Sequence, residues 1–193
     1  MNLTLTVNCM TEYIVGPDWD QRVVKINQQG KVGIIMSGGI DSLVLYHLLD
    51  DPLIFNIKRE DGFDGAERVR KLTGKEVIEV EEQSTEHDKR VWYTSNRIIE
   101  EYNLDQLYNG SNMIPPIHLF PEFKDGYADR PWKNPDPFMV VPFQMLYKYH
   151  IISLAKMMNI DLSDTLSCIA NTEEACGVCW HCRERQWGFD NAD

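Results

Sequence analysis

The stretch Val32-Gly33-Ile34-Ile35-Met36-Ser37-Gly38-Gly39-Ile40-Asp41-Ser42-Leu43-Val44-Leu45 decides the fold of this chain. Val32 to Met36 is a short, continuous apolar run, the pattern of a parallel strand buried on both faces, and Leu43 to Leu49 is apolar enough for a buried helix. Between them, Gly38 and Gly39 let the backbone turn sharply and leave N–H groups uncovered. Ser37 and Ser42 add hydroxyls at a helix N-terminus, where unpaired donors and the helix dipole favour an anion. The run Ser37, Gly38, Gly39, Ile40, Asp41, Ser42 therefore reads as a phosphate cradle of a size that suits pyrophosphate. Asp41 would repel phosphate by itself, so its natural task in a nucleotide site is to hold Mg2+ against the phosphate oxygens.

Further strands are expected at Leu53 to Ile57, Val77 to Val80 and Asp105 to Gly110, separated by helical patterns at Glu67 to Thr73 and from Val91 to Tyr102. This alternation predicts an α/β fold, an open parallel sheet with helices on both faces, with ligands at the carboxyl ends of the strands near the point where strand order reverses. Upstream, residues 1–30 form an N-terminal extension with a strand at Leu3 to Val7, a turn at Gly16-Pro17-Asp18 and an amphipathic segment from Trp19 to Ile26. Cys9 there reads as a small buried or idle thiol. Residues 111–142 carry seven of the nine prolines and the aromatics Phe120, Phe123, Tyr127 and Trp132. So long a connection is either a lid or a rigid surface wrap. Lys124, Arg130 and Lys133 within it face an anionic substrate or stay solvated. After Pro142, the residues Phe143, Leu146, Tyr147, Ile151, Leu154, Met157 and Met158 mark the core-facing side of a helix. Lys148 lies beside that face, pointing toward phosphate or out to solvent.

Composition bounds the rest. The chain has 193 residues, 43% of them hydrophobic, enough for one domain over 1–193 with a small appendage. Lys plus Arg total 19 against 30 Asp plus Glu, a formal charge of −11, which repels a polyanion and makes nucleic acid an unfavourable partner. No apolar run is long enough to span a membrane, and Met1-Asn2-Leu3-Thr4 lacks the features of a signal peptide, so a cytoplasmic location is expected.

Four of the five cysteines crowd into the tail, residues 165–193, as Cys168, Cys176, Cys179 and Cys182. In a cytosolic chain the C-x7-C-x2-C-x2-C spacing favours a metal over disulfides. Four thiolates with no open position describe a structural Zn2+ site; an iron–sulfur cluster is the rival, disfavoured by the absence of a trailing Cys-Pro. His181 sits among these ligands, but the cysteines already complete a tetrahedron, and it reads as exposed.

Ser37-Gly38-Gly39-Ile40-Asp41-Ser42 resembles the SGGxDS signature of the PP-loop ATP pyrophosphatases, the adenine nucleotide alpha hydrolase-like enzymes that split ATP between its α and β phosphates. Thr165-Leu166-Ser167-Cys168, Cys176-Gly177-Val178-Cys179, Cys182, Arg185 and Gly188-Phe189 narrow the resemblance to the 7-cyano-7-deazaguanine synthase family of queuosine and archaeosine precursor biosynthesis. Pro142 and Lys148 also fall where that family has a proline and a lysine-bearing helix. The resemblance implies ATP, Mg2+ and Zn2+ as cofactors and ammonia and a deazapurine-type carboxylate as reactants. It implies Asp41 and Lys148 as catalytic residues, Ser37 to Ser42 as the nucleotide cradle, and a zinc-knuckle appendage formed by the cysteines. It leaves room for a homodimer. The family's Tyr-Gly-Gln element after the second strand is replaced here by Ile57-Lys58-Arg59-Glu60-Asp61, and its Tyr-Pro-Asp-Cys-Arg segment by Met113-Ile114-Pro115-Pro116. Two other readings stand beside this one: a PP-loop RNA modifier that transfers sulfur or amidates, and a nucleotide-binding protein without turnover.

Overall fold

A computed structural model describes residues 9–58, 65–81, 87–121, 138–168, 170 and 174–192. Its centre is a five-stranded parallel sheet built from β3 (Val32–Ile35), β4 (Leu53–Lys58), β5 (Ile78–Glu81), β6 (Gln106–Asn109) and β7 (Met139–Val140), in the order β5-β4-β3-β6-β7. Successive strand residues point to opposite faces, and here both sets are apolar. Ile34, Ile54 and Tyr108 pack on one face with side chains of α1 (Ile40–His47), α2 (Gly65–Thr73) and α4 (Lys148–Met157). Phe55, Val80 and Leu107 pack on the other with Ile98 and Ile99 of α3 (His87–Tyr102). This is the α/β arrangement that the alternation predicts. A last helix, α5 (Trp180–Asn191), lies against α4. No helix among the described residues is long and apolar enough to cross a membrane.

The chain leaves β3 toward β4 and β5 on one side and later returns to β6 on the other. Strand order thus reverses at β3, and a crevice opens between its carboxyl end and that of β6. The Ser37–Ser42 turn starts there.

The amphipathic segment Trp19 to Ile26 lies mostly in strand: β1 (Cys9–Val15) and β2 (Arg22–Gln28) make an antiparallel hairpin in which Val15, Val24 and Ile26 are buried by strand alternation. Two expectations need correction. The helix after Pro142 begins only at Lys148; Phe143 and Leu146 are core residues of a preceding turn, closed by the Leu146 N–H donating to the Phe143 carbonyl. Met157 is 55% exposed and leaves the core stripe. The long connection also contains β7, which completes the sheet beside β6. The proposed strand at Leu3 to Val7, the aromatics Phe123, Tyr127 and Trp132, and Lys124, Arg130 and Lys133 lie outside the described residues.

The hairpin is pinned to α4 by a polar cluster. The Asp20 carboxylate accepts from Arg22 at 2.9 and 3.1 Å and from the Tyr149 hydroxyl at 2.5 Å. Fully buried His150 accepts from the Tyr147 N–H through Nδ1, which leaves Nε2 to donate to the Asp20 carbonyl at 3.0 Å.

Candidate functional site

The turn after β3 is formed by its own short hydrogen bonds. Gly38 has φ +79°, a conformation that side chains resist. Ser42 donates from Oγ to the Gly39 carbonyl and accepts from the Ser37 N–H, while the Gly39 N–H donates to Ser37 Oγ. Gly39 is the N-cap of α1, and no side chain caps it. The helix therefore presents its first-turn N–H groups and the positive end of its dipole to the crevice, an arrangement suited to a polyphosphate.

The crevice has a volume of about 450 Å3 and is lined by Ser37, Gly39, Asp41 and Ser42 on one side and by Ser167, Cys168, Trp180, His181 and Glu184 on the other. That volume lies within the range of small-molecule sites. The two sides are joined directly, because the Leu166 N–H donates to the Gly38 carbonyl at 3.1 Å. His181, expected to be exposed, is half-buried in this wall with its ring stacked on Trp180.

Lys148, the first residue of α4, is 3% exposed. Its ammonium reaches Asp41 Oδ2 at 2.5 Å and Glu184 Oε2 at 3.6 Å. Burial alone would depress the lysine, but the Asp41 and Glu184 carboxylates outweigh it and hold its pKa above the ordinary value. The structure thus brings the two residues expected to carry catalysis together across 107 positions of sequence. The remaining Asp41 oxygen, Oδ1, is buried and has no hydrogen-bond partner among the described residues. An unsatisfied carboxylate oxygen beside uncapped N–H groups fits a divalent cation brought in with phosphate.

Glu184 was not singled out in the sequence. It is 3% exposed, accepts from Asn112 Nδ2 at 2.9 Å, and has its pKa raised by burial against the opposing pull of Lys148. The signal for it was a single acidic residue between Arg183 and Arg185, and such a charge run is ordinarily a solvated helix face. Arg185 turns the other way and donates to Thr165 Oγ1 and the Leu162 carbonyl.

Cys168, Cys176, Cys179 and Cys182 bring their sulfurs within 4.8 Å of one another, with Cys176–Cys182 at 3.9 Å and Cys179–Cys168 at 4.0 Å. A tetrahedral zinc with bonds of about 2.3 Å requires sulfur separations of about 3.8 Å, so the set fits a four-thiolate ion. Donation from the Cys176 and Ala170 N–H groups pulls the Cys168 thiol down to about 6, whereas burial pushes Cys182 up to about 12. Cys179 is the N-cap of α5, so the cluster starts the helix that carries Glu184.

Residues 133–193 match the family model described as "Queuosine biosynthesis protein QueC". Over those residues the chain resembles that family. The match takes in Lys148, Glu184 and all four clustered cysteines, while the Ser37–Ser42 turn precedes it. Among curated relatives, proteins named 7-cyano-7-deazaguanine synthase are 43% identical over 54 residues in Aliarcobacter butzleri, 45% over 51 residues in Nautilia profundicola and 34% over 73 residues in Methanospirillum hungatei. Those segments cover 28%, 26% and 36% of this chain and 24%, 23% and 33% of the respective relatives.

Proposed function

We propose that the chain is an ATP-dependent carbon–nitrogen ligase that converts a 7-carboxy-7-deazaguanine-type acid to its amide or nitrile with ammonia, releasing AMP and pyrophosphate. One observation carries this reading: the buried Lys148–Asp41 pair lies at an uncapped helix N-terminus, in the same crevice as a tail that matches QueC. The names of the relatives supply the substrate class.

A carboxylate is a poor electrophile at neutral pH. Attack of its oxygen on the α-phosphorus of ATP forms an acyl-adenylate and expels pyrophosphate; ammonia then attacks the acyl carbon and expels AMP. The Ser37–Ser42 turn, through its N–H groups, would receive the leaving pyrophosphate, and Lys148 would offset the charge that grows on the transferred phosphoryl group. Mg2+ held at Asp41 Oδ1 would add charge neutralisation between phosphates. The four cysteines would hold Zn2+ and so fix the start of α5. With the four clustered cysteines occupied by metal, none of them is left to pair with a histidine and hydrolyse glutamine, and free ammonia would be the nitrogen donor.

The test is product analysis. With ATP, Mg2+, ammonium and 7-carboxy-7-deazaguanine, the protein should release AMP and pyrophosphate and convert the acid to its amide, or, with a second ATP activating the amide oxygen so that it leaves with AMP, to the nitrile. Release of ADP, or of AMP irrespective of the acid supplied, would count against the proposal. The RNA-modifying reading meets an opposing net charge of −11 and would require salt-sensitive RNA binding.

A further inference from the structure

Lys148 is a buried cation with two carboxylates and unequal distances, 2.5 Å to Asp41 and 3.6 Å to Glu184. Asp41 is its close partner. Yet Asp41 also holds the unsatisfied oxygen that fits a cation, and a divalent ion placed there draws the carboxylate's charge away from the ammonium. Lys148 then needs another anchor, because a buried ammonium with a weakened partner either leaves its position or loses its charge.

Glu184 is built for that role. Asn112 Nδ2 occupies its Oε1 at 2.9 Å, which leaves Oε2 for the lysine. One helical turn further along α5 stands Gly188, where a Cβ would sit 2.6 Å from Lys148 Cγ. Residues four apart share a helix face, so α5 meets Lys148 twice: Gly188 admits its stem and Glu184 faces its head. We propose that Glu184 is the positioning residue that keeps the Lys148 ammonium at the phosphate turn when Asp41 engages the nucleotide's cation. Through it, the helix begun by the cysteine cluster reaches the phosphate chemistry. This rests on the ATP-binding half of the proposed function and is independent of which acid is the substrate.

The test is a double-mutant cycle in Mg·ATP binding, measured by calorimetry on the wild type, Glu184→Gln, Lys148→Gln and the double variant, with melting curves to verify folding. Glu184→Gln should weaken binding by about tenfold to a hundredfold, the worth of a charge-assisted contact. In the Lys148→Gln background the same change should alter binding less than about twofold. If Glu184→Gln does not fold, Asn112→Ala, which frees the carboxylate, should give a smaller loss that also vanishes without Lys148. Unchanged binding in Glu184→Gln, or an equal loss in both backgrounds, overturns the positioning role. A wild type that fails to bind Mg·ATP instead overturns the ATP reading itself, and the role of Glu184 falls with it.

Discussion

The two walls of the crevice are made in different ways. The phosphate turn is an extension of the sheet: β3 is hydrogen-bonded on both sides, the residues around it are buried, and the turn closes on its own backbone and two serine hydroxyls. Among the described residues, the opposite wall contains no strand. Its small cluster consists of Leu166 and the cysteines, and it is tied to the rest by the Leu166–Gly38 hydrogen bond, the Arg185 contacts and the Lys148–Glu184 pair. One wall derives its order from the hydrophobic core, and the other has a thiol cluster that a metal would hold together under the proposed function. Chemistry at the turn should therefore be removable without touching the fold, while the tail should lose fold and chemistry together.

The largest effect should come from the turn. Asp41→Ala removes the proposed cation ligand and the close partner of Lys148, and it should lower AMP formation by about a thousandfold or more. Far-UV circular dichroism should stay the same, because α1 keeps its buried face. Metal removal is the complementary break. Metal analysis should find about one zinc per chain, and chelation should lower the melting temperature and raise the solvent exposure of Trp180, read by its fluorescence. Visible absorption bands would point to iron and sulfur instead.

Gly188→Val probes the joint between the walls. Its side chain would press on Lys148 Cγ and Ile152 Cδ1 and force α5 off α4, at a cost of about 1–3 kcal/mol of stability by overpacking. A loss of Mg·ATP affinity should accompany it, as for other disturbances of Lys148.

The smallest effect concerns the hairpin clamp on the first turn of α4. Burial first, then the Arg22 cation, hold the His150 pKa below its usual 6.5 in spite of Asp20. Folding therefore opposes protonation. The stability contributed by neutral His150 is complete above about pH 6.5 and is lost as pH falls toward its lowered folded value. His150→Gln should flatten the decline of melting temperature on acidification below pH 6.5, and an unchanged decline would rule out the histidine as its source.

The sheet and the phosphate turn were legible because their signals are local. A continuous apolar run, two glycines and two serines within a dozen residues report one structural decision, and the cysteine spacing reports another. Lys148 could not be placed by pattern, since a lysine at the start of an apolar helix is more often solvated. Its burial follows from Asp41 and Glu184, residues far from it in the chain. Glu184 was hidden for the same reason, between exposed Arg183 and half-buried Arg185 in a charged run. The pairing of β1 with β2 was not legible because it joins residues across a turn, and β7 was not because two residues carry no period.

The central claim is that this crevice activates a carboxylate with ATP. ATP–pyrophosphate exchange measures that step alone, without ammonia. With 7-carboxy-7-deazaguanine and Mg2+, the wild-type protein should exchange labelled pyrophosphate into ATP, and Asp41→Ala should not. Exchange that proceeds equally without any acid, or that survives intact in Asp41→Ala, would contradict the account.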